Sequence, residues 1–174
     1  KNQSHQLQYQ HLLQKSWLIN LSAFHTKSIS NIANYANRNF NIESRQFESK
    51  IGYLFSKNAS WSLVYEFQQK TNQMGFFEAL KQTRIGSLFV YNSDKGYSIN
   101  GEFSMYTNTF KGNAVSAVGF QMLEGLQPGK NQTWRLLLQK NLTDYLDINI
   151  NYQGRNSETS KSIHTGNIQL RAFF

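Results

Sequence analysis

Few side chains in this sequence stand where they could bind a metal, move a proton or attack a carbonyl. The 174 residues include four histidines (His5, His11, His25 and His164) and no cysteine. His5 and His11 are six residues apart, which on a strand puts them on one face but about 20 Å from each other. That is too far to share an ion. No Gly-x-Ser-x-Gly elbow, phosphate-cradling glycine loop or His-Glu-x-x-His helix is present. Glu102 beside Ser104 is too common a pattern to mark a nucleophile. The sequence therefore predicts no enzyme: no catalytic residue, no cofactor and no metal site.

The charged residues suggest a structural chemistry instead. Eighteen Lys and Arg against ten Asp and Glu give a net charge of +8. The positive residues are spread along the chain without a block of five or six, and aromatics stand opposite charges rather than among them. Nucleic acid is thus not an expected partner. A basic balance also suits acidic lipid headgroups and lipopolysaccharide phosphate. Glu66, Arg84, Glu102, Arg135, Asp147 and Arg171 all fall on polar faces of alternating segments. In lipid each would cost several kcal/mol if unpaired, so they are expected to face inward as a polar network. Arg135, Asp147 and Arg171 are expected to cluster, because they lie on successive strands.

What must position these groups is a set of β-strands, because alternation dominates the chain. Leu146, Ile148, Ile150 and Tyr152 alternate with Asp147, Asn149, Asn151 and Gln153, and Ile168, Leu170 and Ala172 with Asn167, Gln169 and Arg171. Ten strands are predicted, roughly at 4–14, 16–25, 42–55, 60–69, 79–92, 96–107, 113–124, 132–140, 144–154 and 162–174, with ends uncertain by ~2–4 residues. Lengths of about 9–14 residues match a tilted membrane-spanning strand, whereas soluble strands average ~5–6. No stretch approaches the ~18 apolar residues of a transmembrane helix. Lys50-Ile51-Gly52-Tyr53-Leu54-Phe55 and Arg84-Ile85-Gly86-Ser87-Leu88-Phe89 form a faint hairpin repeat, which favours a meander. The fold predicted is all-β, an antiparallel up-and-down transmembrane β-barrel of about ten strands, eight being the lower count. Residues 1–174 form one domain, expected to be a processed product or a fragment of a larger chain, since no signal peptide is present.

Aromatic residues make up 14% of the chain, and their positions carry more than their number. Trp17, Trp61, Tyr97 and Trp134 open the second, fourth, sixth and eighth predicted strands. In a meander those starts share one end, so the four are expected to form a ring at a membrane interface.

The last strand, Gly166, Ile168, Leu170, Ala172 and Phe174, resembles the C-terminal signature of bacterial outer-membrane β-barrel proteins. The resemblance implies that this strand, ending in Phe174, is the signal read by the barrel assembly machinery. The stretches Met122 to Asn131, Asn151 to Arg155 and His164 to Phe174 are similar to the C-terminal end of large Bacteroidota outer-membrane or cell-surface proteins. That likeness covers the last third of the chain and implies the outer membrane of a Gram-negative bacterium, with no activity attached. A periplasmic end for the final strand would put the tryptophan ring and the turns near 56–59, 93–95, 125–131 and 156–161 outside. The longest connection, 26–41 with Asn31, Asn34, Asn37 and Asn39, would then be periplasmic, against the usual pattern of long outer loops. The function expected is a structural or scaffolding barrel within an outer-membrane assembly, its partners being lipid, lipopolysaccharide and other outer-membrane or surface proteins. A transport barrel and a soluble ligand-binding barrel are the alternatives.

Overall fold

The computed structural model describes residues 1–35, 38–75 and 77–173. Among the described residues nine strands form one antiparallel sheet in sequence order, an up-and-down meander. They are β1 (Asn2–Leu13), β2 (Trp17–Ser30), β3 (Phe40–Leu54), β4 (Ala59–Asn72), β5 (Ala79–Ser93), β6 (Tyr97–Lys111), β7 (Gly129–Thr143), β8 (Leu146–Ser157) and β9 (Ser160–Ala172). The count of ten is corrected to nine. The expected seventh strand at 113–124 holds α1 (Ala117–Leu123).

The helix has identifiable causes. Ser116 caps it, its side chain accepting from the Gly119 N–H at 2.9 Å. Val118 and Met122 are four residues apart and share a face, which packs with Leu123 on Ile42 of β3 and Leu80 of β5. Glu124 ends the helix in the left-handed region and Gly125 continues there at φ 79°.

The alternation sorts cleanly into two faces. On β4, Ser62, Val64, Glu66, Gln68, Lys70 and Asn72 are buried, while Trp61, Leu63 and Tyr65 are exposed. Register carries the two faces across the sheet, because residues paired across strands share a face, although both faces are exposed in the edge strands β1 and β9. Ser104 on β6 is fully buried, yet its neighbours Phe103 and Met105 are 41% and 46% exposed. A flat single sheet would expose both faces alike. The face that carries α1, the inner face, is the more buried one in the central strands.

Nine strands also redistribute the connections. Turns at 14–16, 55–58, 94–96 and 144–145 share one end of the sheet, where β9 also finishes. The longer connections 31–39, 73–78 and 112–128 share the other end with 158–159. Segments 55–58 and 94–96 thus lie opposite 125–128 and 158–159, so the four expected outer turns do not share an end. The connection placed at 26–41 shortens to 31–39, because β2 runs on to Ser30; Asn37 lies outside the described residues.

Among the described residues the sheet is not closed: β1 pairs only with β2, and β9 only with β8. Both edge strands run in the same direction, since each is odd in an antiparallel order.

Candidate functional site

Four charged residues on four adjacent strands form a ladder on the inner face. Glu66 stands opposite Arg84 across β4 and β5, and Glu102 opposite Arg135 across β6 and β7. Arg84 Nη1 lies 3.4 Å from the Glu66 carboxylate, and Arg84 Nη2 donates to Glu102 at 2.8 Å. The second oxygen of Glu102 accepts from Arg135 Nη2 at 3.0 Å. Arg84 Nε donates to Ser104 Oγ at 3.1 Å, and the guanidinium sits 5.7 Å from the centre of the Tyr106 ring.

The central link is diagonal, because Arg84 pairs in register with Tyr106 and Glu102 with Leu88. The Arg84 side chain must run along its own strand to reach Glu102, and Gly86 leaves the room. A Cβ at Gly86 would lie 3.1 Å from Ser104 Oγ and 3.5 Å from Arg84 Nε. Side-chain exposure rises along the ladder from 10% at Glu66 through 17% and 22% to 60% at Arg135. The strongest part is therefore the Glu66–Arg84–Glu102 triad, where charge-assisted bonds are least screened.

Two carboxylates and two guanidiniums balance, and no histidine joins them. Among the described residues no group of three His, Cys, Asp or Glu could hold a metal ion. The arrangement ties four strands together through charge-assisted bonds.

Asp147 and Arg171 stand apart from the ladder. They oppose each other across β8 and β9 and line a cleft of about 170 Å³ without forming an ion pair. Arg135 faces Gln153 on β8 rather than Asp147. The expected cluster of Arg135, Asp147 and Arg171 is replaced by the Arg135–Glu102 pair, because register sets Asp147 opposite Asn141, six residues along β7 from Arg135.

At the other end of the inner face, polar side chains stitch the 112–128 connection down. The buried Lys70 ammonium donates to the Met122 carbonyl at 3.0 Å and to the Glu124 carboxylate. Asn108 and Asn131 both donate to the Gln127 carbonyl, at 2.9 and 2.7 Å, and Arg155 donates to the Gly125 carbonyl at 3.1 Å. These anchors make α1 a fixed filler of the inner face.

The aromatics divide. Trp17 and Tyr53 pack at 4.9 Å between ring centres, Tyr53 and Phe55 at 5.0 Å, and Tyr91 and Tyr97 at 5.7 Å, all near the tight-turn end. Trp61 joins them and donates its indole N–H to Ser87 Oγ at 2.9 Å. Trp134 does not, because β7 begins at the opposite end once the false strand is removed. It pairs with Phe103, packs 5.5 Å from His164, and lies over Gly154, where a Cβ would strike the indole. Phe174 lies outside the described residues.

No protein-family model matches the chain, and no curated protein matches it closely enough to count as a relative.

Proposed function

We propose that the chain is a wall segment of an outer-membrane β-barrel with a structural, scaffolding role in an outer-membrane assembly. One observation carries the reading: an uncovered apolar face extends over all nine strands. Leu7, Leu63, Ile85, Leu136 and Ile168 lie on that face and are between 45% and 76% exposed. A contiguous apolar surface of this extent marks a contact with lipid or protein. Ile148, Ile150 and Leu170 belong to it, while their neighbours Asn149 and Gln169 turn to the inner face.

The dimensions agree. On β2 the polar His25 and the aromatic Trp17 are eight positions apart, about 27 Å along a strand. A tilt of about 40° reduces this to about 21 Å, close to the ~25 Å apolar band of barrels in lipid. A periplasmic end for β9 puts the tight turns inside and the 31–39, 73–78 and 112–128 connections outside, the usual asymmetry. The Trp17, Trp61 and Tyr97 ring then belongs to the inner leaflet rather than the outer one.

A scaffold is favoured over transport because α1 and the charged ladder occupy the inner face with interlocked groups. The test is cell fractionation and detergent extraction, followed by planar-bilayer recording. Recovery with outer membranes, gel mobility that changes on heating, and no steady conductance are expected. Folding to a detergent-free soluble form would overturn the membrane placement, and a steady open pore would overturn the scaffold.

A further inference from the structure

The outer face carries a row of polar and cationic residues across five strands at the end where α1 lies. Successive register pairs define it: His5 with His25, His25 with Arg45, Arg45 with Gln69, and Gln69 with Lys81. The next row toward the tight turns is Leu7, Ala23, Phe47 and Phe67. Ala23 is the one small residue among these large ones, and a groove of about 630 Å³ opens there, bounded by Leu7, Phe47, Phe67, His25 and Arg45. Below it the apolar wall continues through Leu21, Ile19, Ile51 and Leu63 to Trp17 and Trp61.

Glu43 holds the upper edge in place. It accepts from Arg45 Nη2 at 3.0 Å, is bonded to His25 Nε2 at 3.1 Å, and accepts from Gln73 at 3.0 Å. The row and its neighbour contain Lys27, Arg45 and Lys81 against Glu43, three cations and one carboxylate. A net charge of +2 thus sits one step of the pleat above an apolar trough.

We propose that this groove binds an acidic membrane lipid, its phosphate on the groove-lining Arg45, with Lys81 two strands along the same row adding positive charge, and one acyl chain along Ala23. The inference rests on the membrane-wall reading and names the ligand of one part of that wall. A nucleic acid or a free anion would gain nothing from the trough. A zwitterionic lipid would place its own cation against Arg45 and Lys81. Phosphate with a chain attached matches both halves of the site, since an ionised oxygen forms strong bonds to a guanidinium.

The test uses the full chain in detergent micelles, with folding checked by circular dichroism. A phosphatidic acid with a pyrene-labelled chain is titrated, followed by energy transfer from the protein's aromatics. The same chains on a phosphocholine headgroup serve for comparison, and inorganic phosphate serves as competitor. The phosphatidic acid is expected to bind about tenfold more tightly than the phosphocholine lipid, and Arg45→Ala with Lys81→Ala to remove that preference. Ala23→Leu, which fills the trough, is expected to weaken both lipids. Equal affinity for the two headgroups, no effect of the paired substitution, or displacement by inorganic phosphate alone would overturn the site. Those results come from a folded, detergent-embedded protein, so they leave the membrane reading standing. A chain that stays folded and soluble without detergent would sink that reading instead.

Discussion

Replacing Arg84 with methionine tests whether the inner-face ladder holds the wall together. Arg84 is 17% exposed and its carboxylate partners Glu66 and Glu102 are 10% and 22% exposed. Removing one partner from a buried ion pair costs ~3–5 kcal/mol, because the remaining charge is left without compensation. Here Glu102 keeps Arg135 at 3.0 Å, and the Glu66 contact is long at 3.4 Å. Those two facts set the expected loss toward the lower end, about 3 kcal/mol. The exposed pair Lys57–Asp94, 3.1 Å apart with both side chains more than 70% exposed, supplies the control. Lys57→Met is expected to cost no more than about 0.5 kcal/mol. Adding Glu66→Gln to Arg84→Met removes the stranded charge and should recover about 1–2 kcal/mol. Urea unfolding in lipid vesicles, followed by tryptophan fluorescence and far-ultraviolet circular dichroism, measures all four proteins. The reasoning fails if Arg84→Met matches Lys57→Met, or if Glu66→Gln makes the Arg84 variant worse.

Four further substitutions probe other parts of the fold by the same unfolding measurement. Gly154→Ala puts a methyl into the Trp134 indole and should cost about 1–3 kcal/mol, whereas Gly166→Ala, with nothing within 4 Å, should change stability by less than about 0.5 kcal/mol. Met122→Ala empties the seat of α1, where Met122 is fully buried, and should cost about 2–4 kcal/mol. Lys15 sits at φ 62° in the β1–β2 turn, so Lys15→Gly should stabilise by about 1 kcal/mol.

How much of this was legible in the sequence depends on which forces act locally. Strands such as β4 and β8 could be read because every second residue answers to a different environment. Ladder members could be placed on polar faces for the same reason. Segment 113–124 could not, because Val118, Phe120 and Met122 satisfy a two-residue period, while Val118 and Met122 alone also satisfy a helical one and leave Phe120 exposed. The discriminating signals were Ser116 ahead of the run and Gly125 behind it, the ordinary marks of a short capped helix. One false strand then reversed the direction of everything after it and moved Trp134 into a ring it does not join. Gly86 gave no local sign of its role, since the room it leaves matters only for a diagonal bond between Arg84 and Glu102. The pairing of Arg135 with Glu102 rather than Asp147 depends on register, which the alternation of faces alone does not determine.

The two open edges follow a rule of parity. In lipid an unpaired strand edge leaves backbone N–H and C=O groups without partners, at several kcal/mol each. β1 and β9 run in the same direction, so joining them directly would make one parallel seam in an otherwise antiparallel wall. A second copy inserted in the same orientation meets the same obstacle, because its β1 is also parallel to β9. Keeping every pair antiparallel requires an odd number of further strands between β9 and β1. One is too few, since walls of about eight strands are filled by side chains and one of about eleven encloses a helix. On the membrane-wall reading proposed above, and with α1 on the inner face, the smallest even wall would have about twelve strands, about three of them from outside this sheet. Each must present apolar residues outward beside Leu7 and Ile168, and polar ones inward beside Gln6 and Asn167. Cysteine pairs with one member at Gln6, Leu7, Gln8 or Tyr9 and the other at Thr165, Asn167, Ile168 or Gln169 test this in membranes. A disulfide needs Cα atoms within about 7 Å, so no pair is expected to close under oxidation. Any pair that closed efficiently within one chain would establish a nine-stranded parallel seam and refute the parity argument.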